Sequence, residues 1–219
     1  MNGPFDTSFE ELPDRLPVFP LTGALLLPRC RLPLNIFEQR YLAMTQDALA
    51  GHRLLAMVQP LDMNSDARAP RLFEVGCAGR ITSFSETDDG RMLIILTGVS
   101  RYRIARELEV DTAYRQVQPD WLPYRHDLTR EPDGTIDRER LYASFKIYFE
   151  ARGLETDWEV LHDAGDENLI NSMSMSCPFD PTEKQALLEA HDLTERAGLM
   201  LSLLDMAALH QADGDLPLH

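Results

Sequence analysis

Apolar residues recur every second position through much of the first 120 residues and at helical spacing after residue 137. That switch predicts strands followed by helices. Between Leu16 and Ile36, two short apolar runs are interrupted by Pro17, Pro20, Pro28 and Pro33, with Gly23 at a turn between them. Each proline removes a backbone donor and fixes φ, so the runs read as short or edge strands. From Tyr41 the spacing lengthens. Tyr41, Met44, Thr45 and Ala48 fall on one helical face, and Gly51 offers a C-terminal stop.

Arg53 to Gln59 reads as a buried strand ended by Pro60, and Asp62 to Pro70 as a polar loop. Phe73 to Glu86 and Arg91 to Gly98 flank Asp88-Asp89-Gly90, residues that tolerate the positive φ of a hairpin turn. Gly76, Gly79 and Gly98 lie inside strand-like runs, where a missing side chain marks a bulge or a close backbone approach, so the sheet is expected to curl. Val99 to Arg106 then alternates, with Tyr102 and Ile104 on one side and Arg101 and Arg103 on a face predicted to be wet and basic. Tyr114 to Pro123 reads as the strand that closes the sheet.

From Asp137 onward Leu141, Phe145, Tyr148 and Phe149 share a helical face that Gly153 ends. Asp157 or Asp166 is expected to cap two short segments. Asp180-Pro181-Thr182-Glu183 combines a capping carboxylate, a proline at the first helical position and a first-turn glutamate. Asp192 to Glu195 repeats that start, and Leu193, Ala197, Met200, Leu204 and Ala208 form one stripe along the last helix. The expected architecture is α+β: a flexible leader over 1–14, a β-rich subdomain over 15–123, a linker over 124–137, a small helical bundle over 138–210 and a tail over 211–219.

Charge sharpens this division. Residues 1–125 carry 14 Lys+Arg against 16 Asp+Glu, whereas residues 126–219 carry 7 against 20, so most of the net −15 belongs to the helical part. A net charge of this sign repels phosphate backbones and opposes general nucleic-acid binding. No apolar run reaches the roughly 18 residues of a membrane span, and the acidic start lacks the basic, apolar layout of a secretory signal, so cytoplasm is the expected compartment. Cys30, Cys77 and Cys177 are far apart and odd in number, which predicts buried thiols rather than a disulfide framework or a metal site.

Arginine supplies 19 of the 21 basic residues. The two lysines, Lys146 and Lys184, follow no Gly-x-x-x-x-Gly, which excludes a phosphate-cradling loop, and both read as helix-surface residues. There is no His-Glu-x-x-His and no Gly-x-Ser-x-Gly. No catalytic residue, metal ligand or cofactor is therefore assigned.

The segments Pro17-x-Phe19-Pro20-Leu21, Leu27-Pro28, Leu32-Pro33-Leu34 and Ile36-Phe-Glu-Gln-Arg-Tyr41, with Met44 beyond, resemble the start of the N-terminal, substrate-binding domain of ATP-dependent Lon proteases. Val75-Gly-Cys-Ala-Gly-Arg-Ile81 and Leu96-Thr-Gly-Val-Ser-Arg-Tyr-Arg-Ile104 look like two later strand motifs of the same family. Cys30, where a glycine is expected, and the Met173-Ser-Met-Ser-Cys177 run depart from its pattern. The resemblance covers residues 15–125 best. It implies a PUA-like pseudo-barrel followed by a helical bundle, in a standalone member without the ATPase and serine-lysine peptidase modules.

It further implies a non-catalytic module that captures unfolded or flexible polypeptide segments, as an adaptor in proteolysis that works with a protease ATPase. On that reading Glu38, Arg40 and Tyr41 at the sheet-to-helix junction, Met63 in the polar loop, and Arg101 and Arg103 on the alternating strand are the candidate polypeptide-binding residues. Phe19, Leu21, Leu34, Ile36 and Phe37 are expected in the core. A small-molecule binder or enzyme using a cleft between the subdomains is the alternative reading. RNA binding by a PUA-like fold, suggested by arginines interleaved with Tyr102, is the third and is opposed by the charge.

Overall fold

The computed structural model describes residues 7–61, 69–130, 132–134 and 136–214, with side chains described as far as Ala208. Met63 lies outside the described residues. Six strands form one sheet: β1 (Leu16–Pro20), β2 (Arg31–Ile36), β3 (Leu54–Val58), β4 (Val75–Glu86), β5 (Met92–Leu108) and β6 (Gln116–Asp120). Their order is β2-β5-β4-β3-β1-β6, and β6 also pairs with β5, so the sheet closes into a ring with β2 attached outside it. The two runs read on either side of Gly98 are one continuous strand, β5, which pairs with β2, β4 and β6 in turn.

Glycine makes this closure possible. A Cβ on Gly76 would sit 2.4 Å from the Met57 carbonyl oxygen and 2.4 Å from the Tyr102 hydroxyl. Tyr102 can therefore fill the inside of the ring, edge-on to Trp121 at 5.8 Å, amid Leu16, Val18, Leu54, Ala56, Val58, Ala78 and Val117. β3 is buried on both faces, which is why Leu54 to Val58 is continuously apolar: Leu54, Ala56 and Val58 face inward, and Leu55 and Met57 face the helices.

One helix, α1 (Gln39–Ala50), connects β2 to β3 and allows β1 and β3 to run parallel. The remaining helices are α2 (Arg138–Arg152), α3 (Trp158–Asp163), α4 (Asp166–Ser176), α5 (Pro181–Glu189) and α6 (Leu193–Gly214). Gly153 ends α2 in the left-handed conformation, φ 62°. Asp157 caps α3, and Asp180 and Glu183 form a reciprocal capping box on α5. Asp166 does not cap. Gly165 takes that position, and the Asp166 carboxylate instead accepts from Arg138 Nη1 at 2.8 Å and from the Gly134 amide at 2.6 Å.

A single hydrophobic cluster runs from Phe19, Leu26, Met57 and Ile94 of the sheet to Phe145, Leu187 and Met200 of the helices. Polar contacts cross the same boundary. Gln59 Nε2 donates to the Pro181 carbonyl at 2.9 Å, Gln185 Nε2 donates to the Val75 carbonyl at 3.1 Å, and Lys184 Nζ donates to the Gly23 carbonyl at 3.0 Å. Lys184, expected on a helix surface, is thus half-buried against the sheet. The segment expected as a linker includes a short 3-10 stretch, Leu122–Leu128, whose Tyr124 and Asp127 are buried. Cys77 and Cys177 are buried as expected, while Cys30 is half-buried. Among the described residues no helix is long and apolar enough to cross a membrane.

Candidate polypeptide-binding groove

The junction between β2 and α1 is built by Glu38. Its extended backbone, φ −73° and ψ 133°, turns the chain from strand to helix, and its carbonyl accepts from the Tyr41 and Leu42 amides at 2.9 Å each. Its side chain does not cap the helix but accepts from Arg40 Nε at 3.0 Å. The Arg40 guanidinium lies 4.5 Å from the Tyr41 ring centre, and Tyr41 packs on Phe19 at 4.6 Å. Burial raises the Tyr41 phenol above its ordinary value, an effect the neighbouring Arg40 charge opposes. Glu38, Arg40 and Tyr41 are therefore one stacked unit of ion pair, cation-π contact and aromatic pair.

Two hollows meet at this unit. The first, about 380 Å³, is lined by Phe19, Pro20, Leu21, the β2 residues Pro33 to Ile36, Phe37, Glu38, Arg40, Tyr41, Pro60 and Pro70. It is largely apolar and rich in proline, with polar side-chain groups from Asn35, Glu38, Arg40 and Tyr41. The second, about 580 Å³, shares Pro20, Arg40 and Tyr41 and extends along Leu108 to Arg115. There Arg115 grips Glu107 through two contacts of 2.6 and 2.7 Å, which holds the Glu107 carboxyl below its ordinary range. Tyr114, which donates to Asp47 at 2.7 Å, is pushed up to about 12, by burial first and that hydrogen bond second.

Phe37 corrects the sequence reading: it was expected in the core and is 62% exposed at the rim of the first hollow. In β2, Leu32, Leu34 and Ile36 turn inward while Arg31, Pro33, Asn35 and then Phe37 turn outward, so strand alternation carries Phe37 to the solvent side. Phe19 and Ile36 are buried as expected, and Leu21 and Leu34 are half-buried. Pro20, Pro33, Asn35, Phe37 and Pro60 line the hollow without having been assigned to it from the sequence, whereas Pro70 ends the loop expected to offer contacts. The strict alternation of β2 was the signal available for Phe37.

Arg101 is a second correction. Predicted on a wet face, it is 1% exposed and donates to Asp127 Oδ1 at 2.7 Å and Oδ2 at 2.9 Å. It also donates to the carbonyls of Leu188 (3.0 Å), Ala190 and His191 (3.1 Å), and it stacks on Tyr124 at 4.4 Å. The 122–128 segment and the end of α5 cover this position, so it belongs to the joint between sheet and helices and not to the groove. Arg103, two residues on, remains exposed opposite Val75 and Asp120 and lines neither hollow. Among the described residues no group of three or more His, Cys, Asp or Glu could hold a metal ion.

The closed ring, the docked helices and a largely apolar hollow at a strand-to-helix corner define an α+β domain. The family model of the ATP-dependent protease La (LON) substrate-binding domain matches residues 15–206, and the chain belongs to that family. It is 25% identical over 200 residues to the Lon protease of Cytophaga hutchinsonii and 26% identical over 203 residues to Lon protease 2 of Thermus thermophilus. Each alignment covers about nine-tenths of this chain and 24% of the relative, so the chain spans about a quarter of these proteins. Among solved structures, the Lon N-terminal domain protein from Xanthomonas campestris matches with a TM-score of 0.58 at 21% identity, covering 93% of this chain and 99% of that one. The N-terminal domain of Mycobacterium avium complex Lon protease matches with a TM-score of 0.57 at 18% identity, covering 89% and 98%.

Proposed function

We propose that this chain is a non-catalytic polypeptide-binding module that receives flexible or unfolded segments in the groove at the β2–α1 corner. The observation that carries the reading is Phe37, a large aromatic 62% exposed beside a hollow floored by Phe19, Ile36 and Tyr41. An apolar side chain entering there would remove Phe37 and itself from water together, and burying one such side chain is worth about 1.5–3 kcal/mol. The Glu38–Arg40 pair supplies a polar rim that orients an extended backbone. The family's description as a substrate-binding domain supports the same reading.

The test is affinity for a reduced, carboxymethylated model polypeptide, measured by fluorescence anisotropy. Phe37→Ala is expected to weaken binding about tenfold, the equivalent of about 1.4 kcal/mol, while leaving the urea midpoint in place. Unchanged affinity would sink the groove assignment. In this reading the module passes captured polypeptide to a protease ATPase as an adaptor. Copurification tests that step separately, because absence of a protease partner would leave the anisotropy result standing.

A further inference from the structure

A third hollow, about 720 Å³, lies away from these two and differs from them in chemistry. Arg29, Arg80 and Arg130 all line it, together with the hydroxyl-bearing Thr82, Thr97 and Thr129, and among the described residues no carboxylate does. Three guanidiniums around one hollow stand out on a chain of net charge −15. One buried carboxylate, Glu167, answers two of them: Arg29 donates Nε to it at 2.9 Å, and Arg130 Nε stands 3.8 Å from its other oxygen. The Arg80 charge also acts on Glu11, whose carboxylate is taken first by the Ser8 amide at 2.9 Å. Positive charge is left over on the cavity wall.

Two details describe how the wall is held. Arg80 donates Nη2 to Thr7 at 2.8 Å and Nη1 to the His52 carbonyl at 3.5 Å, but its buried Nε has no hydrogen-bond partner. That Nε is out of contact with solvent, so what Arg80 offers the cavity is its charge. Arg29 holds a left-handed backbone, φ 65°, a conformation that is costly for a side-chain-bearing residue and that collects at ligand sites. Its amide donates to the Gly98 carbonyl at 2.8 Å, which pins that turn at the cavity edge.

We propose that this cavity binds a phosphate-bearing small molecule. Guanidinium forks match the paired oxygens of a phosphate, and the Thr129 hydroxyl supplies a further donor, whereas Thr82 and Thr97 spend theirs on the Ile95 carbonyl and on each other. The volume falls in the range of small-ligand pockets, which leaves room for an organic group beside the phosphate. The chain's net charge of −15 repels a long polyanion, so a compact ligand is favoured over a nucleic acid.

Titration calorimetry and thermal melts of the whole chain with inorganic phosphate, adenosine monophosphate and ribose 5-phosphate, at matched ionic strength, test this. One of the two organic phosphates is expected to bind saturably, one per chain, and to raise Tm by about 3–5 °C at ten times its Kd. Arg80→Gln and Arg130→Gln are each expected to weaken that binding at least tenfold, whereas Arg91→Gln, on the hairpin tip, leaves it unchanged. Arg130 is mostly exposed, so its variant keeps the fold, which an unliganded melt verifies. The absence of saturable binding at millimolar concentrations, or equal affinity in the Arg80 and Arg130 variants, would overturn the proposal. Inorganic phosphate binding as tightly as both organic phosphates would overturn the organic-group part. Tighter, salt-steep binding of a single-stranded RNA oligomer would overturn the preference for a compact ligand.

Discussion

Replacing Arg101 with methionine tests how the sheet and the helices are joined. The guanidinium is 1% exposed and serves both Asp127 oxygens and three carbonyls at the end of α5 and just beyond it. Methionine fills part of the volume but donates nothing. Asp127, 5% exposed, would then keep one hydrogen bond, from the Arg101 backbone amide at 2.8 Å, with His126 Nε2 3.6 Å from its Oδ1. Leaving one member of a buried ion pair uncompensated costs about 3–5 kcal/mol, a large share of the roughly 5–15 kcal/mol that holds a domain together. Urea unfolding followed by far-UV circular dichroism is the assay, and the loss should persist in high salt because the pair is shielded from solvent ions. Asp127→Asn removes the negative charge while keeping an acceptor for the Arg101 amide. It should therefore cost less in the Arg101→Met background than in the parent, with a coupling of about 1–3 kcal/mol in the double-mutant cycle. An Arg101→Met protein within about 1 kcal/mol of the parent would refute the argument, since a solvent-screened surface pair is worth no more than that.

Two glycines make opposite predictions. At Gly98 a Cβ would lie 2.0 Å from the Leu27 carbonyl oxygen, a backbone atom, so Gly98→Ala should lose about 3 kcal/mol in urea unfolding. Gly198, inside α6 with nothing within 4 Å, should gain about 0.5–1 kcal/mol as alanine in the same experiment. The thiols give a pH prediction. Burial pushes Cys30 up to about 11 and Cys177 up to about 12 from an ordinary 9.0, and Cys77 is raised as well. With folded values above unfolded ones, their contribution to stability is complete below pH 9 and is lost as pH rises through 11 to 12. At pH 8 all three should react slowly with Ellman's reagent until the chain is unfolded, and a rapid full equivalent in the native protein would contradict this.

Local signals carried much of the architecture. Asp88-Asp89-Gly90 marked the hairpin, Asp157 and Asp180 marked helix starts, and the three strand glycines announced a curled sheet, because each acts through its own backbone or its nearest neighbours. The misreadings share a different cause. Alternation states which face Arg101 takes but not whether that face is covered, and the cover comes from Tyr124, Asp127 and the end of α5, far along the chain. Arg103, of the same parity, lies beyond that cover and stays wet. Phe37 was assigned by its apolar character where the parity of β2 already turned it outward. The three-arginine cavity had no local mark at all, since Arg29, Arg80 and Arg130 come from separate loops and strands that only the closed ring brings together.

The pairing of β5 with three partners makes it a common ruler. Its first half sets Leu34 opposite Ile94 and so fixes the wall of the groove, while its second half aims Arg101 at Asp127. A slip of one residue in either half would turn that half's side chains inside out, and the register shift between Gly98 and Ser100 lets each half keep its own alignment. The same strand therefore carries positional information to both sites.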